Sequence, residues 1–112
     1  MTLIINQLNK DFSFTSQIHM DDIGEIAGLG FKTIINNRPD FEGGSEQPTS
    51  TEIEAFAKIY GISYAYIPVI PNQITPENIA KFKQAFDDAP KPILGFCRTG
   101  NRASTLFHLA ST

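Results

Sequence analysis

The chain alternates short apolar runs with segments of helical period, and that alternation restricts the fold more than any other feature. Phe12-Ser13-Phe14-Thr15 alternates apolar and polar side chains and predicts a short strand with one buried face. From Asp21, Ile23, Ile26 and Ala27 recur at helical spacing behind an acidic first turn, with Gly30 as the stop. Phe31 to Asn36 reads as a strand whose Ile34 and Ile35 suit a sheet covered on both faces, and Asn37-Arg38-Pro39-Asp40 ends it. Asp40 to Pro48 has glycines, a proline, acids and no apolar period, so it is a surface loop.

Thr49 and Glu52 have capping-box spacing, and Ile53, Phe56, Ala57 and Tyr60 share one helical face up to a stop at Gly61. Ile62 to Ile67 is a further strand, broken by Pro68 and Pro71. Thr75 then caps a helix with Pro76 at its first position and Ile79, Phe82 and Phe86 as its buried stripe, ending near Pro90. Pro92 to Phe96 is the last strand, and Arg102 to Leu109 is a helix that packs Leu106, Phe107 and Leu109 inward. Strands joined through helices need crossover connections. The expected fold is therefore α/β, a single three-layer domain over residues 1–112 with a mostly parallel sheet of four or five strands flanked by helices. Ligands of such sheets bind at the carboxyl ends of the strands, where the loop at Cys97, the loop from Asn36 to Pro48 and the loop from Pro68 to Ile74 should converge.

Composition narrows the function. With 112 residues, 41% of them hydrophobic, the chain has enough apolar surface for a core without disulfides or metal. A net charge of −3 gives no general field for nucleic acid or for an anionic membrane, so anion binding has to come from local donors. One cysteine permits no internal disulfide, and two histidines argue against a Cys/His metal cluster. Neither a signal peptide nor a membrane span is legible, and the expected location is cytoplasmic.

The chemistry concentrates in Ile93-Leu94-Gly95-Phe96-Cys97-Arg98-Thr99-Gly100-Asn101-Arg102-Ala103-Ser104, an apolar strand followed by a cysteine-led glycine turn and a helix. A cysteine at a strand end is commonly an inert core residue. Here two arginines follow at once and would be stranded without an anion, which favours a functional turn. The amides of residues 98–102 and the positive end of the helix dipole form an anion cradle and favour a thiolate at Cys97. Gly100 supplies a positive φ, Arg102 a fork of donors, and Thr99, Asn101, Ala103 and Ser104 complete the lining; Ser104 or Thr105 is the expected hydroxyl donor to the sulfur. Arg98 has two readings, an orienting contact to a substrate carboxylate or a solvated side chain. No metal and no cofactor is called for.

Together with Phe31-Lys32-Thr33-Ile34-Ile35-Asn36-Asn37-Arg38-Pro39-Asp40 and Tyr66-Ile67-Pro68-Val69, the cysteine turn resembles the small bacterial phosphatase-like domain that also occurs beside beta-lactamase-hydrolase-like metalloenzymes. The resemblance implies the fold of tyrosine and dual-specificity phosphatases. Because members are also described as sulfurtransferases, it further implies a link to persulfide metabolism, with a persulfide dioxygenase-type metalloenzyme as a partner.

Two departures from the phosphatase pattern favour sulfur transfer. Four residues separate Cys97 from Arg102, one fewer than in cysteine phosphatases and matching rhodanese-type loops. Phosphatases also need an acid for the leaving oxygen, and Pro68-Val69-Ile70-Pro71-Asn72-Gln73-Ile74 has no carboxylate; Asp40 is the candidate substitute, against a competing reading as a turn residue. Sulfur transfer expels a thiolate and needs no strong acid. The preferred reading is thus a sulfurtransferase working through a Cys97 persulfide, with a small thiol or persulfide as substrate. The alternatives are a phosphatase that takes a phosphate ester through a phosphocysteine, and a non-catalytic anion-binding module. Phe96 stands where many phosphatases have a histidine. His19 reads as a capping residue, His108 as structural, Asn36 and Asn37 as braces, and Tyr64 and Tyr66 as ordinary strand residues.

Overall fold

The computed structural model describes residues 3–112. Its strands are β1 (Asn6–Gln7), β2 (Phe12–Thr15), β3 (Thr33–Asn36), β4 (Ser63–Tyr66) and β5 (Ile93–Phe96), and its helices are α1 (Met20–Gly28), α2 (Ser50–Ile59), α3 (Pro76–Asp88) and α4 (Asn101–Ala110). The sheet order is β1-β2-β5-β3-β4, parallel throughout except for the short antiparallel edge β1. The last strand in sequence is therefore central, between β2 and β3, so the turn that leaves it emerges among the loops of its neighbours.

Both faces are covered, as the continuous apolar runs require. Ile34, Leu94 and Phe96 pack with Ile23, Ile26, Ile53 and Ala57 on the side of α1 and α2, while Phe12, Ile35 and Ile93 pack with Phe82, Leu106 and Phe107 on the side of α3 and α4. The rings of Phe12 and Phe107 stack with centroids 4.5 Å apart, which fastens α4 to β2. Alternation along β5 directs Ile93 to the α3/α4 side and Leu94 to the other, which carries Cys97 onto the side covered by α4.

The helix ends follow the local chemistry. Thr49 Oγ1 accepts from the Glu52 N–H while Glu52 Oε1 accepts from the Thr49 N–H, and Thr75 and Asn78 exchange the same pair of bonds ahead of Pro76. His19 caps α1 through Asp22.

Three apolar side chains depart from expectation. Phe56 and Tyr60 are 40% and 52% exposed, because α2 turns Ile53 and Ala57 to the sheet and leaves these rings at its flank, where Tyr60 lies against Gly24 of α1. Leu109, expected inside, is exposed in the last turn of α4, whereas Leu106 and Phe107 are buried. No helix among the described residues is long and apolar enough to cross a membrane.

Candidate active site

Cys97 follows β5 directly, is fully buried, and accepts a hydrogen bond on Sγ from the Gly100 N–H at 3.1 Å. The turn closes because Gly100 adopts φ +97°. A Cβ there would stand 2.8 Å from the Phe14 ring and 3.2 Å from the Thr15 carbonyl oxygen, so both backbone conformation and space demand glycine. The donor to sulfur is thus a main-chain amide rather than the expected Ser104 or Thr105 hydroxyl; Ser104 N–H bonds the Gly100 carbonyl within the first turn of α4, and Thr105 is exposed. The Asn101 N–H turns to Thr99 Oγ1 at 3.3 Å. Ala103 is buried with its methyl against the β5 backbone at Gly95, a contact that lets α4 sit close over the sheet.

Arg102 is buried, and three of its five N–H donors are committed, which leaves Nε and one Nη2 hydrogen for an anion. Nη1 donates to Glu42 Oε2 at 2.8 Å and to the Val69 carbonyl oxygen at 2.7 Å, and Nη2 donates to Glu42 Oε1 at 2.8 Å. Arg38 Nε also donates to Glu42 Oε1 at 2.9 Å, and Arg38 Nη1 donates to Gln17 Oε1 at 3.0 Å. One carboxylate therefore holds two guanidinium groups, and through them the loops after β2, β3, β4 and β5 meet in one network. The Gln17 N–H completes it by donating to the Arg98 carbonyl oxygen. The hydrogen bond from Arg102 is the main reason that the Glu42 carboxyl lies below its ordinary range, against an opposing effect of burial and with support from Arg38. In return, Glu42 first and the Cys97 sulfur next hold Arg102 charged, with burial opposing both.

Glu42 was not among the residues singled out from the sequence, and Asp40 was. The structure places Asp40 elsewhere: its Oδ1 accepts from the N–H of Ser50, the first residue of α2, at 2.8 Å, and its own N–H donates to Tyr66 Oη. This makes Asp40 an anchor of the loop on the α2 N-terminus. Tyr64 and Tyr66 are likewise more than strand filler. Tyr64 Oη accepts from Asn36 Nδ2 and bonds Ser50 Oγ, and burial, first among its causes, pushes the phenol up to about 12.

Asn36 and Asn37 act as the expected braces: Asn36 Oδ1 accepts from the Arg38 N–H and Asn37 Nδ2 donates to the Ile67 carbonyl oxygen. Asn37 also extends the β3–β5 register past Asn36 and Phe96, so it stands beside Cys97, where its Oδ1 is buried without a hydrogen-bond partner.

Above the turn lies a recess of about 240 Å³ lined by Pro71 and Asn72 from the loop after β4 and by Arg98, Thr99, Asn101 and Arg102. Arg98 is exposed at this recess and forms no salt bridge among the described residues. His108 is exposed on α4.

Residues 5–112 match the family described as beta-lactamase hydrolase-like protein, phosphatase-like domain. The chain belongs to this family. A beta-lactamase hydrolase-like protein of Agrobacterium fabrum is 35% identical over 103 residues, 92% of this chain but 24% of that protein, so the chain spans about a quarter of the length of such relatives. Among solved structures, a Neisseria meningitidis protein named provisionally as a phosphatase is 35% identical and superposes with a TM-score of 0.84, covering 92% of this chain and 72% of that one. The core catalytic domain of a PP-IP phosphatase from Saccharomyces cerevisiae, 20% identical with a TM-score of 0.71 over 91% of this chain and 60% of that one, shares the fold. The fold is that of the cysteine phosphatases. The family description and both solved structures carry phosphatase names, whereas the sequence reading prefers sulfur transfer.

Proposed function

We propose that this domain is a cysteine-dependent phosphatase that cleaves phosphoric monoester-type substrates through a phosphocysteine. The observation that carries the reading is the pairing of a buried cysteine sulfur under the Gly100 amide with a buried arginine, Arg102, at the N-terminus of the same helix. In this reading Arg102 and the turn amides hold the non-bridging oxygens and Arg98, Thr99 and Asn101 line the approach. Cys97 Sγ attacks phosphorus, the S–P bond forms, and the P–O bond breaks with its electron pair on the leaving oxygen. Water then attacks phosphorus, the pair of the S–P bond returns to sulfur, and the water protons leave on orthophosphate.

Sulfur transfer is the second reading, favoured by the four-residue spacing between Cys97 and Arg102 and by the lack of a free acid at the turn. For Asp40 to serve as that acid it would first have to release the Ser50 N–H. The test is a side-by-side assay of phosphate release from p-nitrophenyl phosphate and of sulfur transfer from thiosulfate or glutathione persulfide to a thiol. Phosphate release that is abolished in Cys97→Ser supports the proposal; sulfur transfer without phosphate release replaces it with the second reading.

A further inference from the structure

The turn carries strong positive charge and no proton donor. Glu42, the carboxylate bonded to Arg102, accepts from Arg102 twice and from Arg38 once, an arrangement that holds it ionised and without a proton to give. Asp40 is tied to the start of α2. The loop after β4, Ile67-Pro68-Val69-Ile70-Pro71-Asn72-Gln73-Ile74, has neither carboxylate nor histidine, and none lines the recess. A leaving group that needs protonation would forgo a contribution of roughly 10²–10⁴-fold in rate.

Two arginines line the recess, Arg98 and Arg102. Glu42 offsets part of the charge of Arg102 and Arg38, whereas Arg98, exposed and lining the same recess as Arg102, has no acidic partner among the described residues. Asn72 and Asn101 flank the same recess with side-chain amides.

We infer that the site takes a phosphoanhydride, in which the group leaving phosphorus is itself a phosphate; this inference rests on the phosphatase reading above. Both observations then have one explanation. The bridging oxygen departs with its electron pair on a phosphate, which is stable as an anion near neutral pH and needs no acid. Cys97 Sγ bonds the terminal phosphorus, the P–O bridge breaks, and the second phosphate is met by Arg98. Water subsequently cleaves the S–P bond and its protons leave with orthophosphate.

The experiment compares kcat/KM in EDTA for inorganic pyrophosphate, p-nitrophenyl phosphate and glycerol 2-phosphate, with Cys97→Ser as control and Arg98→Ala as probe. Pyrophosphate and the aryl ester should both turn over, with glycerol 2-phosphate more than tenfold slower than either. Arg98→Ala should lower kcat/KM for pyrophosphate by on the order of tenfold to a hundredfold, and by at least several-fold more than for the aryl ester. Turnover of the aryl ester without pyrophosphate, glycerol 2-phosphate within tenfold of the aryl ester, or an equal effect of Arg98→Ala on both substrates overturns the inference and leaves the phosphatase standing. Release of phosphate from none of the three overturns both.

Discussion

The Glu42 carboxylate and the Arg102 guanidinium, 60 residues apart in sequence, meet through two parallel hydrogen bonds of 2.8 Å. The fork leaves Arg102 little freedom, since its Nη1 also bonds the Val69 carbonyl oxygen. Orientation of the anion-binding arginine is thus fixed before substrate arrives, the condition under which a charged donor contributes most to a transition state.

Replacing Glu42 by Gln should expose this positioning role. The variant keeps its size but loses a charge and one acceptor of the fork, so Arg102 is held less firmly while the site becomes more positive. The expected result is a fall in kcat of about tenfold to a hundredfold with no rise in KM. Steady-state kinetics on an aryl phosphate measure both; a raised KM with kcat intact would assign Glu42 to substrate binding instead.

The same carboxylate predicts an acid limb of stability. Its folded-state pKa lies below the ordinary value of 4.5, so the unfolded chain takes up the proton first as pH falls. The stabilisation is fully present above that ordinary value and is lost as pH drops through the lowered folded value. Urea unfolding from pH 6 to pH 3 should show Glu42→Gln less stable than wild type at the upper end, with the difference shrinking towards the lower.

Tyr64 predicts the opposite limb. Its phenol titrates near 12 in the folded chain, chiefly because burial disfavours the phenolate, against 10.0 for an ordinary tyrosine. Unfolding therefore releases a proton between these values, and stability falls as pH rises from 10 towards 12. Ultraviolet titration of phenolate should lose its component near 12 in Tyr64→Phe.

Gly100→Ala should damage both fold and site. An alanine at φ +97° is strained, and its methyl would press on Phe14 and on the Thr15 carbonyl. A loss of about 1–3 kcal/mol is expected from the backbone alone, readable in denaturant unfolding. Activity should fall further than stability explains, because the Gly100 N–H moves away from Cys97 Sγ.

Much of this architecture is legible locally. Thr49 with Glu52, Thr75 with Pro76, and the apolar run ending at Cys97 each state their structure within a few residues. Crossover rules give the parallel sheet and the edge where its loops converge, but the central position of β5, which makes the cysteine turn gather its neighbours, is stated by no local pattern. Glu42 and Asp40 show where local reading stops. Both lie in one irregular loop without period, two residues apart, and only the path of the chain through Phe41 at φ +66° decides which carboxylate reaches Arg102. The side chains of Gln17, Arg38 and Tyr64 gained roles for the same reason: Arg38 meets Gln17 and Tyr64 meets Ser50 across different loops or elements, at separations no local pattern encodes. Phe56 and Tyr60 fit the helical period and still lie at the flank of α2, because period fixes a face and not how far the sheet extends beneath it.

The most direct test of the central claim is the covalent state of Cys97 during turnover. Wild-type protein mixed with p-nitrophenyl phosphate, quenched in acid within milliseconds and weighed intact, should carry a transient gain of about 80 Da that maps to the Cys97 peptide. The gain should be absent from Cys97→Ser and should decay as phosphate appears. Phosphate release with no adduct on Cys97, or a gain of about 32 Da after thiosulfate with no phosphate chemistry at all, would contradict the phosphocysteine account.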